Sequence, residues 1–97
     1  MIKFDKDELA DICREYGVEY LGLFGSVARG EDGPGSDVDL LVRFGQDGVK
    51  GMVGMMRMQY KLEDLLGRKV DLVTEGFLSK YFRNRVIAES KQLYARG

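Results

Sequence analysis

Apolar residues recur along this chain with two spacings, one typical of an amphipathic helix and one typical of a buried strand. The helical spacing comes first, between Asp5, which with Glu8 is placed as a capping box, and Gly17, which is placed to end the helix. The apolar stripe of this helix consists of Leu9, Ile12, Cys13 and Tyr16. The segment 18–24 that follows is short, apolar and rich in β-branched and aromatic residues, so it predicts a buried strand.

The rest of the chain continues this alternation. We predict a short helical turn over 26–29, a strand over 37–44, a helix over 51–66, a strand over 68–74, a helix over 78–89 and a short edge strand over 92–94, with the EDGPGS segment as a loop. The long helix carries an apolar face made of Met55, Met58, Leu62, Leu65 and Leu66. The last helix has Leu78, Tyr81, Phe82 and Val86 on one side. This order predicts an α/β (α+β) fold, in which residues 1–97 form a single domain with helices packed on one small mixed β-sheet.

Charge and composition narrow the possible partners. The chain has 15 Lys and Arg residues against 16 Asp and Glu residues, so it has no overall positive field, and we expect no direct nucleic-acid binding. No stretch reaches the roughly 18 consecutive apolar residues of a membrane span, so we expect no membrane contact. The single cysteine, Cys13, lies in an apolar stripe and is expected in the core. With one cysteine and no secretion signal at the start, we expect a cytoplasmic location.

Histidine is absent from the sequence. The usual general base is therefore missing, and no zinc site built from His and Cys can form from this chain. Any catalysis must depend on carboxylates and cations.

Two carboxylates stand one residue apart at the start of the second predicted strand. Because side chains in a strand alternate between its faces, Asp37 and Asp39 project to one side while Val38 and Leu40 project into the core. Like charges at this spacing repel each other and raise each other's pKa unless a cation compensates. Mg²⁺ binds through one or two carboxylates together with substrate phosphates, so the pair predicts a magnesium and nucleotide site.

Residues on either side of this pair could complete such a site. Gly25 and Ser26 end the first predicted strand, where a glycine lets the backbone approach a phosphate and the Ser26 hydroxyl adds a donor. Arg29 could add a positive charge for the same phosphates, and Ser36 is a further candidate nucleotide contact. If the third strand neighbours the second, Asp71 joins the other two carboxylates. The three could then hold two Mg²⁺ ions, with Asp71 as the candidate general base.

These residues resemble the signature of a known superfamily. Gly25 and Ser26, ten residues, Asp37, one residue, Asp39 and a later strand Asp71 look like the nucleotidyltransferases that include DNA polymerase beta. Within that group, GSVARGEDGPGSDVDLLV is most similar to the minimal nucleotidyltransferases, the MNT proteins, over nearly the whole chain.

The resemblance implies a fold, an activity and a partner. It implies a nucleotidyltransferase fold in which the Gly-Ser pair holds the triphosphate of ATP and the carboxylates hold Mg²⁺. AMP is then moved to a hydroxyl and pyrophosphate is released. It also implies an antitoxin paired with a helical toxin of the HEPN type, a ribonuclease that some MNT proteins silence by adenylylating a tyrosine.

Simpler interpretations stand beside the functional ones. Arg29 could be a surface residue paired with Glu31 or Asp32, and a single Asp in a short strand such as Asp71 could simply face water. The methionines of the long helix are spread too widely to be buried entirely on one helical face, so we expect part of the cluster to be exposed; these are Met52, Met55, Met56 and Met58. They fit either core packing, which is slightly favoured, or an adaptable surface for a partner. A basic patch near the last helix fits either a solvated face or a contact for an acidic partner or nucleotide; it consists of Lys80, Arg83 and Arg85.

Three functions remain open from the sequence. The first is an enzymatic antitoxin that adenylylates its toxin. The second is a non-catalytic binding module that neutralises the partner by covering it. The third is the catalytic subunit of a two-component enzyme that modifies a small molecule.

Overall fold

A computed structural model describes residues 4–31, 33, 37–49 and 51–96, and its elements follow the order predicted from the sequence. The elements are α1 (Lys6–Glu15), β1 (Val18–Phe24), α2 (Gly25–Arg29), β2 (Val38–Phe44), α3 (Met52–Leu66), β3 (Val70–Thr74), a 3₁₀ turn (Glu75–Phe77), α4 (Lys80–Glu89) and β4 (Lys91–Ala95). The predicted helices and strands are all present, with small shifts at their ends. Most of the predicted EDGPGS loop, including Ser36, lies outside the described residues.

The four strands form one mixed sheet in the order β3, β2, β1, β4. β1 is antiparallel to both β2 and β4, whereas β2 and β3 are parallel. A parallel pair requires a crossover connection, which α3 provides. The mixed sheet with packed helices confirms the predicted architecture, and β4 lies at the edge as expected.

One face of the sheet carries the main core, which is covered by α1 and α3. The Asp5 side chain caps α1 by accepting hydrogen bonds from the backbone N–H groups of Asp7 at 2.8 Å and Glu8 at 3.1 Å. Buried side chains from these helices and from β2 form one cluster that includes Leu9, Cys13, Met58, Leu62, Val38, Leu40 and Val42. The predicted burial of Cys13 is confirmed. Within the described part of the chain, no helix has the length and apolar character needed to cross a membrane.

The other face of the sheet is covered by α4. Leu41 is fully buried, although it projects away from the Leu40 and Val42 side of β2, and Val86 of α4 is buried as well. The Tyr20 and Ser90 hydroxyls are 2.7 Å apart, which ties the end of α4 to β1. The centre of β2 is therefore buried on both faces.

The apolar side predicted for the last helix is mostly not in the core. Val86 is buried, but Tyr81 is 86% and Phe82 52% exposed, and Leu78 precedes the helix, which begins at Lys80. The contact between α4 and the sheet is narrow, because Val86 is the buried residue of this helix.

The methionines of α3 divide between core and surface. Met58 is fully buried, whereas Met52 is 79% and Met56 48% exposed. The expected exposure of part of the cluster is confirmed, and the core interpretation is wrong for these two. Met52 and Met56 form an exposed apolar surface together with Val53 and Tyr60. We call this surface, made of Met52, Val53, Met56 and Tyr60, the α3 patch.

Candidate functional site

Asp39 and Asp71 lie next to each other on neighbouring strands. In the parallel register of β2 and β3, Asp39 is paired with Asp71 and Leu40 with Leu72. Paired residues of a parallel ladder project to the same face, and neighbouring strands are about 4.8 Å apart. The strand neighbourhood on which the three-carboxylate prediction depended is therefore present. Asp39 is half-buried and Asp71 is exposed at the sheet edge.

The electrostatics of Asp39 reflect its surroundings. Burial raises the pKa of the Asp39 carboxyl, the charges of Asp71 and Asp37 raise it further, and only Arg29 acts to lower it. Asp37 lies just before β2 rather than inside it, since the strand begins at Val38, and it is exposed. Asp71 and Asp37 are thus both close enough to Asp39 for their charges to repel it.

Gly25 places the backbone against Asp39. Phe24, the last residue of β1, is paired with Asp39, and α2 begins at the next residue. Gly25 has a φ of +76°, and a Cβ added there would overlap Asp39 Oδ2 and lie 3.1 Å from Cγ. Both the backbone conformation and the contact disfavour a side chain at this position. Ser26 follows in the first turn of α2 and is half-buried.

An open cavity of about 300 Å³ separates this turn from α4. Four of its lining residues belong to the β1–α2 turn, α2 and β2: Phe24, Gly25, Arg29 and Asp39. The other four belong to one face of α4: Phe82, Arg85, Val86 and Glu89. The cavity therefore lies between the predicted phosphate-binding elements and a helix that the sequence analysis did not assign to the site.

Arg29 lies beside the cavity and also forms a surface ion pair. It lines the cavity beside Asp39, and its Nε also donates to Glu31 Oε2 at 3.1 Å in an exposed ion pair. Such surface pairs contribute little stability, so the guanidinium can exchange Glu31 for another anion at small cost.

Sequence reasoning missed Phe24, Phe82 and Glu89 as cavity residues. The sequence places Phe82 in an apolar stripe and Arg85 in the basic patch, for which a nucleotide contact is one of the interpretations. The spacing of Phe82, Arg85, Val86 and Glu89 at i, i+3, i+4 and i+7 places them on one helix face, which is the signal available in the sequence. That spacing does not reveal which part of the sheet the face covers.

The donor chemistry suits a hard cation. Asp37, Asp39 and Asp71 offer only oxygen ligands, and Mg²⁺ uses one or two protein carboxylates and completes its shell with water and phosphate oxygens. The adjacent pair of Asp39 and Asp71 fits that requirement. Within residues 4–31, 33, 37–49 and 51–96, however, no three Asp, Glu, His or Cys side chains are gathered closely enough to hold a metal by themselves. Asp39 and Asp71 lie side by side on β2 and β3, and Asp37 lies just before β2, without forming a closed ligand set.

The sequence matches a known family over most of its length. Residues 6–94 match the model of the nucleotidyltransferase domain. A Methanocaldococcus jannaschii protein assigned as a protein adenylyltransferase is 34% identical over 85 residues, which cover 88% of this chain and 89% of the relative. The protein adenylyltransferase MntA of Thermococcus cleftensis is 35% identical over 79 residues, which cover 81% of this chain and 78% of the relative.

Solved structures share the fold. A protein assigned as a minimal nucleotidyltransferase has a TM-score of 0.76 at 36% identity, with 89% of this chain and 86% of the other covered. A chain of a toxin–antitoxin crystal structure with AMP-PNP has a TM-score of 0.75 at 23% identity, with 95% and 74% covered. A chain of the Shewanella oneidensis complex between a tri-AMPylated HEPN toxin and an MNT antitoxin has a TM-score of 0.65 at 22% identity, with 94% and 70% covered.

Proposed function

We propose that this chain, which belongs to the nucleotidyltransferase family, transfers AMP from ATP to a hydroxyl group of a partner protein. The acceptor oxygen forms a bond to the α-phosphorus, the bond from that phosphorus to the bridging oxygen breaks, and pyrophosphate leaves. The observation that carries this proposal is the register pair of Asp39 and Asp71 beside the turn at Gly25. We assign the activity to residues 1–97 as one minimal nucleotidyltransferase domain.

Each candidate residue has a role in this reaction. Asp37, Asp39 and Asp71 would hold two Mg²⁺ ions, which supply positive charge to the phosphates and lower the pKa of the acceptor hydroxyl. Asp71, at the exposed edge, accepts the proton of the acceptor hydroxyl. The backbone at Gly25 and the Ser26 hydroxyl bind the triphosphate, and Arg29 neutralises part of its charge. Ser36 is a further proposed contact for the nucleotide.

The acceptor is proposed to be a tyrosine of a HEPN-type helical toxin, which makes this chain the antitoxin of the pair. The relatives are named protein adenylyltransferases, and a structural neighbour is a complex of a tri-AMPylated HEPN toxin with an MNT antitoxin. The cavity beside Asp39 is about 300 Å³, which is at the low end for ligand pockets, so ATP alone would fill it. The partner must then supply the acceptor and its surroundings. We propose a cytoplasmic location for the pair.

Label transfer tests the proposal directly. The chain is incubated with ATP labelled at the α-phosphate, Mg²⁺ and the HEPN-type protein encoded beside its gene. We expect label on a tyrosine of that protein, and a loss of at least about 100-fold with Asp39→Asn. Asp64→Asn, which removes an exposed carboxylate of α3, is the matched control and should transfer label normally. Undiminished transfer by Asp39→Asn would refute the assigned site.

A second candidate, the non-catalytic antitoxin, is favoured by the α3 patch. Met52 lines a shallow apolar depression with Phe44 and Thr74, the last residues of β2 and β3. Asp39 lies five residues before Phe44 in β2, and a strand rises about 3.3 Å per residue, so the patch is about 16 Å from the carboxylates. A partner could bind there without reaching the site. In that case Asp39→Asn would still neutralise the toxin.

A further inference from the structure

We propose that α4 supplies the nucleotide-recognition wall of the site, with Phe82 as the platform for the base and Arg85 as a second cation for the triphosphate. This inference rests on the proposed function, because it assigns roles in binding the same ATP. It concerns residues that neither the signature nor the predicted site includes.

The position of Phe82 is the first observation. Phe82 and Val86 are one turn apart on α4, and both line the cavity that contains Gly25, Arg29 and Asp39. Val86 is 3% exposed and anchors the helix on the sheet, whereas Phe82 is 52% exposed. Phe82 therefore borders the cavity, and about half of its surface is not covered by the core. A nucleobase placed against it would cover apolar surface on both partners.

Tyr81, the aromatic residue next to Phe82, has a different environment. Tyr81 is 86% exposed and does not line the cavity, although it precedes Phe82 on the same helix. Single exposed aromatic residues are ordinary on protein surfaces. Phe82 differs because it lines the cavity next to the candidate phosphate-binding turn. Stacking on an aromatic ring tolerates every base, because every base has a π-face.

Charge balance is the second observation. The cavity is lined by the Asp39 and Glu89 carboxylates, so a triphosphate entering it needs cations beyond the single guanidinium of Arg29. Arg85 Nη2 lies 3.9 Å from Glu89 Oε1, which is too long for a hydrogen bond, and its side chain is 77% exposed. The Arg85 guanidinium is thus available to an anion in the same cavity. An arginine can give a phosphate two parallel hydrogen bonds.

Binding measurements with two ligands distinguish the proposed role of Phe82 in holding the base from that of Arg85 in holding the phosphates. The ligands are the α,β-methylene analogue of ATP, which cannot transfer AMP, and inorganic tripolyphosphate, which has no base; both are titrated in the presence of Mg²⁺. Phe82→Ala should raise the Kd for the ATP analogue about 10-fold or more and leave the Kd for tripolyphosphate unchanged. Phe82→Trp should restore the affinity. Arg85→Gln should raise the Kd for both ligands by similar factors.

Matched variants on the same helix act as controls. Tyr81→Ala removes a neighbouring aromatic ring, and Arg83→Gln removes the same charge as Arg85→Gln, while neither residue lines the cavity. Both should bind the two ligands like the unaltered chain. Thermal melting of each variant checks that the fold is intact, which we expect because Phe82 and Arg85 are exposed.

The failures of the two proposals are distinguishable. If the unaltered chain binds the ATP analogue but Phe82→Ala and Arg85→Gln bind it equally well, the α4 wall is overturned and the proposed function stands. If Phe82→Ala weakens tripolyphosphate as much as the ATP analogue, Phe82 is not a base platform. If it weakens only the complex with the partner protein, Phe82 belongs to a protein interface instead. If the unaltered chain binds neither ligand, the proposed function falls, and the α4 wall falls with it.

Discussion

Asp39 and Asp71 are register partners in the parallel pair of β2 and β3, so their carboxylates project from one rung of the ladder to the same face of the sheet. Nothing in the packing of the sheet requires two acids at this rung, and their repulsion opposes folding. Residues that bind ligands are commonly kept at such a cost to stability.

Replacing Asp71 should therefore separate activity from stability. We expect Asp71→Asn to lower AMP transfer about 100- to 10,000-fold, because it removes the proposed proton acceptor and a metal ligand. The same variant should melt at an equal or slightly higher temperature, since Asp39 loses a repelling neighbour. Thermal melting followed by circular dichroism measures the second effect. A clear drop in melting temperature would mean that Asp71 stabilises the fold and would contradict this assignment.

Gly25 and Gly30 form a matched pair for testing the turn. Both have positive φ, +76° and +74°, but a Cβ at Gly25 would meet the Asp39 carboxylate, whereas a Cβ at Gly30 has no atom within 4 Å. An alanine at either position should cost about 1–3 kcal/mol of folding free energy for the backbone conformation. Only Gly25→Ala should also abolish nucleotide binding. Denaturant unfolding and titration with an ATP analogue measure the two effects. Equal nucleotide affinity in both variants would show that the contact with Asp39 is unimportant.

The thiol of Cys13 should be inert in the folded chain. Burial raises the pKa of Cys13 from its ordinary value of 9.0 to about 12. The unfolded chain releases this proton near pH 9 and the folded chain only near pH 12, so the contribution of Cys13 to stability should fall as the pH rises between these values. The difference in unfolding free energy between the chain and Cys13→Ala, followed across this range, isolates it. Rapid labelling of the native protein by a thiol reagent at pH 8 would contradict the burial.

The methionines of α3 should respond to substitution according to their burial. Met58→Ala should cost about 2–5 kcal/mol because Met58 is fully enclosed, whereas Met56→Ala should stay within about 0.5 kcal/mol. Urea unfolding measures both. If the α3 patch binds a partner, Met56→Lys should weaken the complex and leave binding of the ATP analogue unchanged. A Met56→Lys variant that binds the partner at full strength would remove the patch from the interface.

The sequence predicted those features that depend on local periodicity. The alternation of Val38 and Leu40 with Asp39 identified both faces of β2, since a strand of period two leaves no ambiguity once one face is apolar. The stripe of α3 and the cap at Asp5 were local in the same sense. The sequence alone does not establish the pairing of Asp39 with Asp71, because the register between strands depends on contacts between residues distant in sequence.

The role of α4 was hidden for a physical reason. Apolar residues at helical spacing look the same whether they enter a core, line a cavity or face solvent, and here Val86, Phe82 and Tyr81 do these three things in turn. What separates them is where the helix sits on the sheet and which of its faces is turned toward the sheet. The placement of the helix depends on contacts such as the hydrogen bond between Tyr20 and Ser90, which join residues far apart in the chain.

Asp71 lies on an edge strand, since among the described residues β3 is hydrogen-bonded to no strand of the sheet except β2. At its start, the backbone N–H of Val70 donates to a side chain, the Glu63 carboxylate, at 3.0 Å. Such a strand frays at lower temperature than the interior of the sheet. On gradual warming the protein should thus become inactive while its helices are still intact, and cooling from that point should restore activity without complete refolding.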